Sequence, residues 1–193
     1  MTAIVLAGGM GRRLGRNKAL EQFGDRPLIQ RVIDTISQID DDIIVVAASK
    51  SQLHQLDTRA KVVVDCYPIG GALVGIFTGL KAAKAQYSLA VACDMPLLKV
   101  DLLRHLISVS QGFDAVIPRI GKMIEPLHAV YSSNCIDPIQ SQIESGNLKI
   151  SDLLNKVNVR YVECDEIERY DPQHLSFMNI NSEEDLKKAK AMI

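Results

Sequence analysis

Short apolar runs recur along the chain, most of them β-branched, and most are followed by a stretch with helical periodicity. Ile4-Val5-Leu6, Ile43-Ile44-Val45-Val46, Val62-Val63-Val64, Ser88 to Cys93 and Ala115-Val116-Ile117 lack the alternation of a half-exposed strand. Strands that are apolar on both faces need cover on both, which is the condition of a parallel sheet held between helical layers. Ile29, Val32, Ile33 and Ile36 recur at helical spacing between about Pro27 and Ile39, and Leu73, Ile76, Phe77 and Leu80 do so between Ala72 and Lys84. A further helix is expected from about Asp101 to Val109. Beyond Pro118 the pattern is less regular, with strands expected at Leu127 to Tyr131 and Val157 to Val162 and a helix around Cys135 to Glu144. Ser182 marks the start of a last helix, with Glu183, Glu184 and Asp185 in its first turn and Lys187, Lys188 and Lys190 near its end. These elements predict one α/β domain over residues 1–193, a three-layer α/β/α sandwich with a mostly parallel central sheet.

Charge and composition narrow the function classes. With 22 Lys+Arg against 23 Asp+Glu the net charge is −1, which argues against bulk nucleic-acid binding but allows a local basic patch. The longest uncharged stretch, Cys66 to Leu80, is interrupted by glycines and a proline and falls short of the ~20 apolar residues that span a bilayer. Met1-Thr2-Ala3-Ile4-Val5 leads directly into a core strand, so neither a signal peptide nor a membrane association is expected. Cys66, Cys93, Cys135 and Cys164 form no C-x-x-C pair. They read as reduced thiols of a cytoplasmic protein, and not as a zinc module, a redox dithiol or a disulfide scaffold. No G-x-S-x-G elbow, H-E-x-x-H helix or cysteine–histidine proximity is seen that would support a hydrolase.

The segment Leu6-Ala7-Gly8-Gly9-Met10-Gly11-Arg12-Arg13-Leu14-Gly15-Arg16-Asn17-Lys18 follows the first strand directly. Its glycines allow backbone N–H groups to approach a phosphate closely, and its four basic residues stand without an acid among them. An anionic ligand, most plausibly a polyphosphate, is the expectation. A Walker A loop is excluded because Lys18 comes three residues after Gly15 and precedes Ala19, and a dinucleotide fingerprint because Leu14 stands where a small residue is needed. Asp94, in Cys93-Asp94-Met95-Pro96, lies just past the carboxyl end of a buried strand, where open α/β sheets bind ligands. One carboxylate facing a nucleotide is sufficient for Mg²⁺, which completes its shell with phosphate oxygens and water. Asp65 ends the preceding strand and is placed to accept hydrogen bonds from a base or to join the outer shell of the metal. His128 reads as structural. Asn179 and Asn181 precede the Ser182 cap on a short extended segment and share one side of it.

These motifs resemble, in the same order, those of the molybdenum cofactor guanylyltransferases, a family of GT-A-like nucleotidyltransferases with a Rossmann-like fold. The loop Leu6 to Lys18 is similar to the family's L-A-G-G-x-x-x-R-x-G-x-x-K signature, with Asn17 where members often carry an acid. Gly70-Gly71-Ala72-Leu73-Val74-Gly75-Ile76 resembles the family's G-P-L-x-G-I turn, with Ala72 in place of the proline. Glu125-Pro126-Leu127-His128-Ala129-Val130-Tyr131 resembles P-L-x-A-V-Y, and Phe177 to Leu186 resembles F-x-N-I-N-T-P-E-D-L, with Glu183 in place of the proline.

The resemblance implies transfer of GMP from GTP to the phosphate of molybdenum-molybdopterin, with Mg²⁺ as cofactor and pyrophosphate released. It implies a nucleotide site formed by Leu6, Ala7, Gly8, Gly9, Gly11, Lys18, Asp65, Gly71, Leu73, Gly75 and Asp94. Arg13, Lys18 and Asp94 would be catalytic, Asp94 would hold the metal, and Asn179 and Asn181 would place the acceptor. The N-terminal part would then bind nucleotide and the C-terminal part the acceptor, with transient contact to molybdoenzyme maturation proteins. Ala47, where an asparagine commonly stands, together with Asn17 and Ala72, weakens the case for GTP, and two alternatives are carried. One is a related transferase using CTP or another nucleotide with a molybdopterin, sugar-phosphate or phospholactate acceptor, and the other is a non-catalytic cofactor-binding protein.

Overall fold

The computed structural model describes residues 1–7, 18–49 and 60–192. In chain order the elements are β1 (Thr2–Leu6), β2 (Gln22–Phe23), β3 (Arg26–Pro27), α1 (Leu28–Ile36), β4 (Ile43–Ala47), β5 (Lys61–Val64), α2 (Ala72–Ala82), β6 (Tyr87–Ala92), α3 (Val100–Ser108), β7 (Ala115–Ile120), β8 (Met123–Ile124), β9 (His128–Ser132), α4 (Ile136–Glu144), α5 (Ile150–Leu154), β10 (Val159–Glu163), α6 (Cys164–Ile167) and α7 (Glu183–Lys190). The expected strands and helices all occur, with ends within a few residues of those read from the pattern.

The described residues form an eight-stranded sheet in the order β10-β7-β9-β6-β1-β4-β5, with β8 beside β7. Strands β6, β1, β4 and β5 are parallel, and β10 is parallel to β7. Strand β9 runs antiparallel between β6 and β7. Hydrophobic pattern gives the residues of β9 but not its direction, since a strand buried on both faces looks alike either way. The β2–β3 hairpin and the short helices α5 and α6 are too brief to leave a period in the sequence.

Alternate residues of the central strands feed two cores. Ala3, Val5, Val45, Leu89 and Val91 pack on one side with α1 and α3, while Ile4, Ile44, Val46 and Ala90 pack on the other with α2 and α4. Burial of this area is the main stabilising term, at roughly 25 cal/mol per Å² removed from water. A third, smaller cluster joins Phe23 and Leu28 to Ile180, Leu186 and Ala189, and so docks α7 against the β2–β3 region. The Ser182 hydroxyl accepts from the Asp185 N–H at 3.1 Å and caps α7 as expected.

Helix α2 lies unusually close to β1. A Cβ at Gly79 would stand 2.4 Å from Ile4 Cγ2, and one at Gly75 would stand 3.0 Å from Leu6 Cδ2. These two glycines let the helix settle on the strand that leads into the basic loop.

His128 is fully buried on β9, edge-on to Phe177 at 5.0 Å, and neither of its ring nitrogens has a hydrogen-bond partner among the described residues. Burial lowers its pKa from 6.5 to about 4, against a weaker upward pull from Asp171. It belongs to the core, as the sequence reading holds.

Two predictions follow from this packing. Gly79→Ala inserts a methyl where Ile4 cannot retreat and should destabilise the protein by about 1–3 kcal/mol, read as a lower urea midpoint. An unchanged midpoint would show that α2 has slack against β1. For His128, the unfolded ring takes a proton near pH 6.5 and the folded ring only near pH 4. Stability from this group is therefore complete above pH 6.5 and lost as pH falls toward 4, by about 3 kcal/mol in all. Denaturant titrations should show that slope in the parent and not in His128→Leu; equal slopes would refute the buried neutral ring.

Candidate active site

The chain leaves β1 toward β4 on one side, while β6 lies on the other, so the sheet has a topological switch point at β1/β6. Open α/β sheets bind ligands in the crevice beyond the strand carboxyl ends at such a point. The pairing extends past the strands themselves: the Cys93 N–H donates to the Leu6 carbonyl at 3.1 Å and the Ala7 N–H to the Val46 carbonyl at 2.7 Å. These bonds fix the point from which the basic loop departs and the turn that carries Asp94.

Lys18 returns to this point in a 3-10 turn, Lys18–Leu20, with only 8% of its surface exposed. Its ammonium donates to Asp94 Oδ2 at 2.5 Å and to Asn181 Oδ1 at 2.7 Å. A buried ammonium is tolerated only when paired and hydrogen-bonded, and here the two acceptors come from distant parts of the chain. The Asp94 carbonyl in turn accepts the Ile180 N–H at 2.9 Å, so the segment bearing Asn181 is sewn to the turn bearing Asp94. The Asn181 N–H donates to Asp185 Oδ2 at 3.0 Å, which fixes it to the first turn of α7. Asn179 stands two residues earlier, its amide 3.5 Å from the Phe177 carbonyl.

Asp94 lies in a turn with α3 starting only at Val100, so it caps no helix. Glu125 joins the site from the antiparallel neighbour. The Ala92 N–H donates to the Leu127 carbonyl at 3.0 Å, bringing the Glu125-Pro126-Leu127 turn beside the end of β6. Burial first, and then the charge of Asp94, raise the Glu125 carboxyl above its ordinary pKa, while the Leu127 N–H opposes the shift. Sequence reasoning quoted Glu125 within a motif without giving it a role; its position next to Pro126 was the available signal. Burial and, after it, the charge of Asp94 push the Cys93 thiol up to about 12, which leaves it inert.

Asp65 follows β5 on the same sheet edge, its N–H donating to the Ala47 carbonyl at 3.0 Å. Its Oδ1 is buried without a hydrogen-bond partner among the described residues, and burial raises its pKa against a hydrogen bond from Thr78. Gly71 is the N-cap of α2 at φ 109°, a conformation that favours glycine, and the helix start carries no side-chain cap. Leu73 is buried in the core, so what it can offer a ligand is backbone. Gly75 is the close-packing residue against Leu6. Gly8, Gly9, Gly11, Arg13 and Asn17 lie outside the described residues. The structure thus brings together Lys18, Asp94 and Asn181 in direct contact, beside Leu6 and Ala7, while Asp65 follows β5, which β1 and β4 separate from β6.

The expectation that no cysteine and histidine lie close together is corrected. Cys164 Sγ stands 3.9 Å from His174 Nε2, although the two are ten residues apart in sequence. The turn that closes this distance depends on buried Asp171, a tertiary feature that spacing alone does not reveal.

A sequence profile of the MobA-like NTP transferase domain matches residues 3–161. The molybdenum cofactor guanylyltransferase of Desulfosudis oleivorans is 37% identical, over 100% of this chain and 96% of its own length. A probable molybdenum cofactor guanylyltransferase of Pelotomaculum thermopropionicum is 35% identical, over 99% and 92% respectively. The crystal structure of molybdopterin-guanine dinucleotide biosynthesis protein A from Archaeoglobus fulgidus superposes with a TM-score of 0.88 at 31% identity, covering 100% of this chain and 98% of that one. With the profile spanning most of the sheet and the relatives spanning the whole chain, the protein belongs to the MobA-like NTP transferase family.

Proposed function

We propose that the protein transfers GMP from GTP to the terminal phosphate of a molybdopterin-type acceptor, releasing pyrophosphate. The observation that carries this reading is the buried Lys18 ammonium held between Asp94 and Asn181 at the switch point of the sheet. It joins the residue that ends the basic loop, the carboxylate past β6 and the asparagine segment in one cluster, and full-length relatives carry the guanylyltransferase name.

Asp94 and Glu125 supply hard oxygen donors, and burial first, with the charge of Asp94 a lesser cause, holds the Glu125 carboxyl above its ordinary pKa. This donor chemistry fits Mg²⁺, with Asp94 as its holder and Glu125 beside it. Bound there, the ion would neutralise charge on the triphosphate and polarise the α-phosphoryl group.

The chain's own residues account for the rest. A phosphate nucleophile is ionised at neutral pH, so no strong general base is required, and catalysis rests on positioning and charge neutralisation. Lys18 has an ammonium already desolvated and directed by two acceptors, so it meets a phosphate with little reorganisation. Gly8, Gly9 and Gly11 would offer N–H groups to the phosphates and Arg13 a further cation. The free Asp65 Oδ1 suits a base that presents N–H donors, as guanine does at N1 and its exocyclic amine. Gly71 and the uncapped start of α2, with the backbone of Leu73, would lie along the nucleotide. Asn179 and Asn181 would orient the acceptor phosphate.

Asp94→Asn and Lys18→Ala should each lower kcat for pyrophosphate release by at least about 100-fold, in keeping with the loss of a principal charge-stabilising group. Circular dichroism and gel filtration should show both variants folded. Parent-like turnover in either variant would overturn the assignment.

A further inference from the structure

A second cluster of ligating side chains lies away from Lys18 and Asp94, where β10 passes into α6. Cys164 opens α6 and Glu168 follows one helical turn later, with the Glu168 N–H on the Cys164 carbonyl at 2.9 Å. His174 is brought back to them by a tight turn. Its N–H donates to the Asp171 carbonyl at 3.0 Å, and the buried Asp171 carboxylate accepts the N–H groups of Leu175 at 3.0 Å and Ser176 at 2.7 Å. His174 sits at φ 55°, the left-handed region, the sole non-glycine residue at positive φ among the described residues.

The three candidate ligand atoms form a closed triangle. Cys164 Sγ is 3.3 Å from Glu168 Oε1 and 3.9 Å from His174 Nε2, and His174 Nε2 is 3.4 Å from Glu168 Oε1. As a hydrogen bond the His174–Glu168 contact is long, since charge-assisted N–H···O bonds run about 2.7–2.9 Å. As edges of a coordination polyhedron the set is well scaled: zinc bonds of about 2.3 Å to sulfur and 2.0–2.2 Å to nitrogen and oxygen, at tetrahedral angles, put ligand atoms about 3.4–3.6 Å apart. No other group of three such ligands within this reach occurs among the described residues.

We propose that Cys164, Glu168 and His174 bind one divalent cation of the zinc class, with the fourth coordination position open. Thiolate, imidazole and carboxylate together select a borderline-soft ion and not Mg²⁺ or Ca²⁺, which take oxygen ligands. One thiolate and one carboxylate balance the ion's two positive charges. Binding replaces the thiol proton: the S–H bond breaks, the sulfur pair goes to the metal and one proton leaves to solvent. Without the ion, the hydrogen bond to Glu168, then burial, then the charges of Glu168 and Asp165, raise the thiol pKa. Because the ion displaces the thiol proton, its affinity should rise with pH. The bound ion would clip α6 to the turn that leads into Phe177, and through its ring to His128.

Cobalt(II) titration of the chelator-stripped full-length protein tests this without nucleotide. One equivalent should give tetrahedral d–d bands and a thiolate-to-cobalt charge-transfer band, and Zn²⁺ should bleach both while Mg²⁺ does not. Cys164→Ser should abolish the charge-transfer band. His174→Asn, which suits the left-handed backbone, should weaken binding at least about tenfold. Cys66→Ser, at the exposed cysteine, should leave the spectrum unchanged. No charge-transfer band in the parent protein, or one that survives Cys164→Ser, would overturn the proposal, and the parent result stands even if a variant fails to fold.

Discussion

The pairing of one ammonium decides the geometry of this molecule's functional end. Lys18 is removed from water, and the penalty for that is offset only because Asp94 and Asn181 both reach it. Three chain segments far apart in sequence must therefore be in register before the charge is satisfied. Lys18 must return to the sheet, β6 must end at Ala92, and the C-terminal segment must lie along the Asp94 turn through the Ile180 N–H. The small core of Phe23, Leu28, Ile180, Leu186 and Ala189 supplies apolar burial that holds the last of these in place. Structure and chemistry share one requirement here, since a pre-directed ammonium is also what a triphosphate needs.

The sheet sets where that charge can act. Parallel strands β4, β1 and β6 present their carboxyl ends on one edge, the position at which open α/β sheets bind ligands. The close approach of α2 at Gly75 and Gly79 seats the helix directly on Leu6 and Ile4 of β1. The antiparallel strand β9 adds what an all-parallel arrangement would lack: its entry turn delivers Glu125 to the end of β6.

Much of this was legible in the sequence. The β-branched runs of β1, β4 and β5 carry their burial in their composition, and the 3.6-residue period marks α1 and α2. Asp94 adjoins a strand end and Lys18 closes the basic loop that follows β1, so local reasoning reaches both, while Asn181 is singled out by the resemblance of its segment to the family motif. The contact among the three was not legible, because it joins residues 163 positions apart. The direction of β9 and the role of Glu125 depend on tertiary packing in the same way. Cys164, Glu168 and His174 escaped notice for a related reason: four- and six-residue spacings become a triangle only through the turn around Asp171.

The central claim is that the Lys18–Asp94–Asn181 cluster is the phosphate-handling centre of a guanylyl transferase. Thermal denaturation with GTP, CTP, UTP and ATP, each with and without Mg²⁺, tests it most directly. Ligand at about 100 times its dissociation constant adds roughly 2.7 kcal/mol, enough to raise Tm by several degrees in a chain of this size. A GTP-selective shift enhanced by Mg²⁺ and lost in Asp94→Asn is the predicted result. The absence of a shift with every nucleotide, or a GTP shift untouched by Asp94→Asn, would contradict the account.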